Sequence, residues 1–381
     1  MQTQNNYDYI IIGAGCAGLS LAYRLLKKDC TVCILESQET INHTNKIWSF
    51  WDTYKTPFNK LIKKKWSKIL IKNNKEQIKI NCNKYNYQSL DSHDFNNYIL
   101  EKINKSKYIN IKFSSKVINI SQNKNNVSLS TDKETYSCNH VFDSRPNVIR
   151  TSMWQQFFGA YIKSEEEIFN SDCPTLMDFS NHINKFHFNY ILPFSEKSAL
   201  IESTYFSKQK ENEMLDVEYI NQYMSINHKN KKYNIEKIEF GSIPMDTKID
   251  NTSESYITKI GSYSGATRAS TGYTFINIQR QTENIAKIIP NIKSSKIKRN
   301  FHPLLLRKMD AVFLNIISRN PNYMKYALMK LFKSKKHDSQ IRFLSDVPNL
   351  IDILKIIFFL PKIKFLIYAL GFKERHDKQN R

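Results

Sequence analysis

Glu202 stands inside Ala199–Phe206, a short run of aliphatic and aromatic residues with the pattern of a strand. A carboxyl in that setting has two readings. Desolvated, it holds its proton at neutral pH and can act as an acid. On an amphipathic strand it simply faces water. The residues alone leave both open. The second chemistry-bearing stretch is Gly13-Ala14-Gly15-Cys16-Ala17-Gly18. Gly13 permits a tight turn, Gly15 lets a pyrophosphate approach the backbone, and Gly18 allows close helix–strand packing. Glu36 lies about 20 residues further on, where an acid accepts hydrogen bonds from adenosine ribose hydroxyls.

The elements around the glycines are those the motif requires. Tyr7–Ile12 reads as a buried strand, Leu19–Leu26 has helical spacing, and Thr31–Leu35 is a second apolar strand ending at Glu36. A strand, a phosphate-binding turn, a helix N-terminus and a second strand make a dinucleotide site for FAD or NAD. The acid favours an adenosine with a free 2′-hydroxyl.

Composition narrows the classes. The chain has 381 residues, is 41% hydrophobic and carries a net charge of +22. That length suits two or three structural units and a substantial core. The positive balance would suit an anionic membrane surface or nucleic acid. The basic residues are dispersed and mostly lysine, with no nucleic-acid motif, so nucleic acid is not expected as a partner. Six cysteines show no disulfide-framework spacing, and Cys30 and Cys33, three apart along a strand, point to opposite faces. The thiols read as reduced and intracellular. Nine histidines form no metal pattern, so no metal is expected. No basic-plus-apolar leader precedes the first strand, which argues against secretion.

Further along, Ile47–Trp51 is an aromatic cluster, Trp66–Ile80 reads as a hairpin around Asn73-Asn74, and a helix opens at Ser92. Short strands at 109–113, 117–120 and 127–129 precede Val141–Pro146. The nucleotide unit is thus expected over 1–150, with an inserted β region. Aromatic-rich strands at 155–162, 185–194 and 199–206 predict an antiparallel substrate domain over 151–250. Ile257–Gly261 returns to the buried-strand pattern and leads through Gly265 and Ser270-Thr271-Gly272 into a helix, giving a return segment over 251–300. Such a strand–glycine–helix return is expected in FAD proteins of the glutathione-reductase type, where it brings a helix N-terminus towards the isoalloxazine ring. It tilts the nucleotide choice to FAD. Residues 301–372 read as helical, and 373–381 as a polar tail. Ile351–Leu360 and Ile363–Leu370 are apolar but interrupted by Lys355, Pro361, Lys362 and Lys364. They fall short of the roughly 20 residues of a spanning helix. They suit either a bilayer interface or a cap packed on the domain below.

These stretches together resemble the flavin-dependent lycopene β-cyclases of carotenoid-making bacteria and plants. The matching pieces run from Gly13–Gly18, Glu36 and Trp48-Ser49-Phe50 to Phe142–Pro146 and Gln156–Gly159. They continue through Met177-Asp178-Phe179, Leu192-Pro193-Phe194, Ala199–Tyr205, Gly241–Met245, Ser270–Phe275 and Arg342–Asp346. Lys46-Ile47, Ser264-Gly265 and Arg268-Ala269 depart from the family pattern. The resemblance implies an α/β fold: a Rossmann-type FAD domain like that of glutathione reductase, a β-sheet substrate domain and a helical C-terminal region. It implies closure of the ψ ends of lycopene, or a related carotenoid, to β rings with reduced FAD and no net redox change. NAD(P)H would be the reductant. Glu202 matches the family's acid; Gly13, Gly15, Gly18, Glu36, Gly261, Gly265, Ser270, Thr271 and Gly272 would hold FAD. Asp143 and Asp178 are secondary candidates for orienting or flavin roles, structural hydrogen bonding being the alternative, and Phe50, Trp51, Tyr205 and Tyr273 are candidate pocket walls. A hydrocarbon substrate implies contact with a bilayer, hence an enzyme in the cytoplasm, peripheral to the inner membrane. The rival readings are a monooxygenase or isoprenoid reductase of the same fold, and a non-catalytic basic membrane-binding protein.

Overall fold

The computed structural model describes residues 5–41, 45–123, 126–146, 151–180, 185–211, 216–247, 256–289 and 302–370. The polar tail expected after residue 372 lies outside them. β1 (Asn5–Ile12), α1 (Cys16–Leu25) and β2 (Val32–Leu35) form the strand–turn–helix–strand unit. Then come β3 (Ile47–Trp51), β4 (Ile62–Trp66), β5 (Lys68–Lys72), β6 (Gln77–Asn81) and β7 (Tyr87–Asp91). α2 (Ser92–Asn104) follows, with Asp91 accepting from the His93 N–H as its cap. β8 (Ile109–Lys112), β9 (Val117–Gln122), β10 (Val127–Thr131) and β11 (Thr135–Asp143) complete a sheet of order β8-β2-β1-β11-β10-β9. Its β8-β2-β1-β11 portion is parallel, and Ile11 and Ile34 enter one core while Ile10 and Cys33 enter another. Apolar residues on both faces are what a parallel sheet covered on two sides needs. Cys30, which precedes β2 rather than lying on it, and Cys33 sit in different cores.

β12 (Trp154–Ser164), β13 (Thr175–Asp178), β14 (His187–Pro193), β15 (Ser198–Ser207), α3 (Val217–Asn227) and β16 (Tyr233–Pro244) build a second sheet, of order β16-β12-β15-β14-β13-β5-β6. It is antiparallel except for the β13–β5 pair. The 68–81 hairpin forms as its alternation predicts, but it pairs with β13 and so extends this sheet rather than the first one. Alternation fixes which face a strand buries, not which neighbour it finds. α3 covers one face through Ile220, Tyr223 and Met224.

β17 (Ile257–Lys259) returns to the first sheet beside β11, and α4 (Phe275–Ile288) packs on α1, where Gln279 bonds both Ser20 and Arg24. α5 (Leu304–Arg319), α6 (Pro321–Phe332), α7 (His337–Leu344), α8 (Leu350–Phe359) and α9 (Lys362–Ala369) form the helical region. Met324, Leu328 and Phe332 of α6 share a core with Leu192 and Leu200 of the second sheet. The fold is therefore mixed α/β with a parallel-stranded nucleotide-type domain, a β domain and a C-terminal helical cap. Among the described residues no helix is long and apolar enough to cross a membrane, and no group of three or more His, Cys, Asp or Glu side chains could hold a metal ion.

Candidate active site

The glycine turn is built by backbone sterics. Gly13 has φ +92°, and a Cβ there would lie 2.4 Å from Ser144 Oγ. A Cβ on Gly18 would lie 2.0 Å from the Gly13 carbonyl, so only glycine fits. Gly15 caps α1 with open space around it; no side chain caps the helix, and its first turn carries no acid. Free N–H groups, a positive dipole end and room for a ligand are what a phosphate group requires. Glu36 follows β2, accepting from the Ala14 N–H at 2.7 Å and the Gln38 N–H at 3.0 Å. The Ser37 hydroxyl also donates to Oε1, so Oε2, with one donor, keeps a lone pair for a hydroxyl.

The return segment closes on the same end of α1. Gly261 has φ +82°, a Cβ there would lie 2.9 Å from Ala17 Cβ, and its N–H donates to Gln281. Gly265 (φ +83°) ends a short turn behind this contact and accepts from His302. Ser270, Thr271 and Gly272 line a cavity of about 860 Å³ that runs from here across the second sheet, and α4 begins beside it with no side-chain cap. Ser270 Oγ and Gln155 Oε1 are buried without a protein partner. Orphaned polar atoms beside two uncapped helix N-termini fit a large polar ring system bearing a diphosphate. The loop is locked from behind: Arg268, fully buried, pairs with Asp310 and Asp346 at 3.2 and 3.4 Å and donates to the Phe343 carbonyl. This explains Arg342–Asp346, which the sequence marks but cannot place.

The other end of the cavity is apolar and aromatic, with Phe157, Phe186, Phe188 and Phe206 in its wall. Glu202 projects into it from β15, and Thr204 donates to its carboxyl at 2.7 Å. Burial, with a smaller contribution from Glu239, lifts its pKa from the ordinary 4.5 to about 8, against the opposing hydrogen bond of Thr204 and the charge of Lys46. That direction favours the protonated form at neutral pH, in the cavity that Ser270, Thr271 and Gly272 also line. Tyr190 lies directly opposite it on β14, bonded to Tyr87 at 2.8 Å.

Of the expected pocket walls, Tyr273 lines the cavity, whereas Phe50 stacks on Phe275 and Trp51 packs on Tyr87 behind it. Tyr205 is buried outside the lining. Asp143 is held by Arg145 and Lys259, and Asp178 by Lys72 and Tyr223, both outside the lining, which suits structural hydrogen bonding. Sequence reasoning missed Glu239, Tyr190 and Tyr87. Isolated glycines inside strands, Gly159 and Gly241, were the available signal of close side-chain approach.

A family model described as lycopene cyclase protein matches residues 8–369. The chain belongs to the lycopene cyclase family. No curated protein matches it. Among solved structures, this cyclase-family chain is similar to a geranylgeranyl bacteriochlorophyll reductase-like protein from Thermoplasma acidophilum, with a TM-score of 0.65 at 13% identity over 97% of this chain and 99% of that one. It is also similar to p-nitrophenol 4-monooxygenase PnpA from Pseudomonas putida DLL-E4, with a TM-score of 0.64 at 13% identity over 93% and 99%. The flavin-dependent monooxygenase PieE, solved with FAD and substrate, gives 0.65 at 9% identity over 93% and 72%. At such identities the likeness establishes the fold.

Proposed function

We propose that this cyclase-family protein closes the ψ ends of lycopene, or a related carotenoid, to β rings, with Glu202 as the acid and FAD as cofactor. The observation that carries this reading is Glu202, a carboxyl whose pKa burial raises, in a largely apolar cavity that Ser270, Thr271 and Gly272 also line. An isolated alkene is a weak base, so its protonation needs an acid that water does not compete with. Glu202 gives its proton to the terminal double bond; the neighbouring double bond attacks the tertiary cation and closes the ring; loss of a ring proton forms the β end. Tyr190, Tyr273 and the cavity phenylalanines exclude water and turn π faces to the cation. Gly13, Gly15, Gly18 and Glu36 would hold the adenosine diphosphate of FAD, with Gly261 and Gly265 shaping the return turn and Ser270, Thr271 and Gly272 meeting the ring. FAD held by these residues, reduced by NAD(P)H, would supply negative charge to the site.

The cavity supports a membrane route for the substrate. Ile357, Ile363 and Leu366 of α8 and α9 line it yet are exposed, Ile363 by 77%, and Leu354 and Phe358 extend the apolar face among Lys355, Lys362 and Lys364. An apolar face ringed by lysines suits an anionic bilayer surface and delivers a hydrocarbon without a water crossing. In this reading the enzyme is peripheral to the inner membrane on the cytoplasmic side.

The test is expression in a lycopene-accumulating bacterium with pigment analysis: red turning orange-yellow is expected, and unchanged lycopene overturns the reading. Counting NAD(P)H per product separates it from a redox enzyme of the same fold. A cyclase turns over many times per reduction; stoichiometric consumption belongs to a monooxygenase or reductase.

A further inference from the structure

The second sheet brings a second carboxyl to Glu202. In register, Gly159 of β12 pairs with Glu202 of β15 on one side and with Glu239 of β16 on the other. Directly paired residues present their side chains on one face. Glu202 and Glu239 therefore flank a position that has no side chain, roughly 10 Å apart at their backbones. Both lean over it: a Cβ on Gly159 would lie 3.1 Å from Glu239 Cγ and 3.6 Å from Glu202 Cβ. Both carboxyls line the same cavity, and Glu239 is 6% exposed.

We propose that Glu239 is a positioning residue for Glu202: its carboxylate, set across Gly159, completes a pair that holds one proton, and that proton rests on Glu202. This deepens the proposed function and rests on Glu202 being the acid.

The surrounding groups decide which member is charged. The Tyr161 hydroxyl donates to Glu239 Oε2 at 2.9 Å. Lys237, whose ammonium donates to the Asn45 carbonyl at 2.7 Å and lies 4.9 Å from the Tyr161 ring centre, favours the charged form of Glu239, as does Lys46. Burial is the largest influence on Glu239 and raises its pKa above 4.5, with Asp91 adding weakly; the Tyr161 hydroxyl and the two lysines offset part of that rise. On the Glu202 side, Thr204 and Lys46 favour ionisation, while Tyr190 and Tyr87 present hydroxyls whose own ionisation burial suppresses. Glu239 thus has a hydrogen bond and two cations for its negative charge, and Glu202 has one of each. Two like charges in one dry site cannot both form readily, so Glu239 ionises first and raises the proton affinity of Glu202. The arrangement also puts a fixed negative charge at the cavity end where the substrate cation forms.

The experiment is an infrared titration of the protonated-carboxyl stretch in the purified, flavin-loaded protein, with the Glu202 band assigned by its loss in Glu202→Gln. In Glu239→Gln the Glu202 midpoint should fall by roughly one pH unit, and the alkaline limb of cyclisation should move down with it. Should Glu239→Gln fail to fold, Glu239→Leu, which fills the volume without a buried polar group, carries the same prediction. Glu239→Asp, which keeps the charge, should retain most of the elevation. A Glu202 midpoint unmoved in the charge-removing variant, or activity lowered equally at every pH, would overturn the proposal. The titration needs no carotenoid, so its outcome stands apart from whether lycopene is the substrate.

Discussion

Two neighbouring surfaces differ in how they are built: the glycine turn, and the cavity whose lining starts just past it at Cys16. At the turn the surface is backbone: Gly13, Gly15 and Gly18 clear away side chains so that N–H groups are presented. At the second sheet the surface is side chain, with aromatic rings and two glutamates brought to one face by strand pairing. The turn offers backbone donors to charge; the cavity buries a carboxyl and so raises its pKa. Glu36 meets three local donors at a strand tip, whereas Glu202 meets Thr204 and a dry wall. In the proposed function, placement rather than residue type makes one glutamate a ribose ligand and the other an acid.

The sharpest way to break that contrast is Glu202→Gln, which should cut cyclised pigment by about 10²-fold or more while bound flavin stays. Pigment analysis and flavin absorbance read the two surfaces separately, and joint loss would mean the surfaces are not independent. Gly18→Ala should act on the flavin first, with cyclisation falling in proportion to the flavin lost. Its Cβ cannot coexist with the Gly13 carbonyl, so flavin content should fall and unfolding free energy drop by about 1–3 kcal/mol. Leu354→Glu with Ile363→Glu should weaken binding to anionic vesicles by about tenfold, with the fold intact by circular dichroism; unchanged vesicle binding would remove the membrane route.

A smaller effect follows from linkage. The folded carboxyl of Glu202 binds its proton more tightly than an ordinary glutamate at 4.5, so raising pH from there to about 8 progressively favours the unfolded chain. Glu202→Gln should remove that slope, gaining a few degrees of melting temperature over wild type above pH 8 and little near pH 5. Parallel melting curves at both pH values would place Glu202 in contact with water.

The same contrast explains what the amino-acid order reveals. The glycine turn is local: turn, helix and acid lie within one stretch, and each glycine answers to a neighbour close in sequence or in the adjoining strand. The cavity is not. Glu202 meets Glu239 through Gly159, with strand order β16-β12-β15 interposed, and no periodicity in one strand specifies the register of another. Likewise Arg268 is held by Asp310 of α5 and by Asp346 in the turn after α7, both further along the chain. The 68–81 hairpin was legible as a hairpin, but its membership of the second sheet depends on β13, a hundred residues away in round terms. Alternation that looked like a water-facing acid at Glu202 is, in the folded chain, a face turned to a cavity.

The most direct test of the central claim is cyclisation by the purified enzyme equilibrated in D₂O, where the Glu202 carboxyl has exchanged before substrate enters. Mass spectrometry of the product should find one deuterium retained per ring formed. Rings formed in D₂O without deuterium would contradict proton donation by a protein acid.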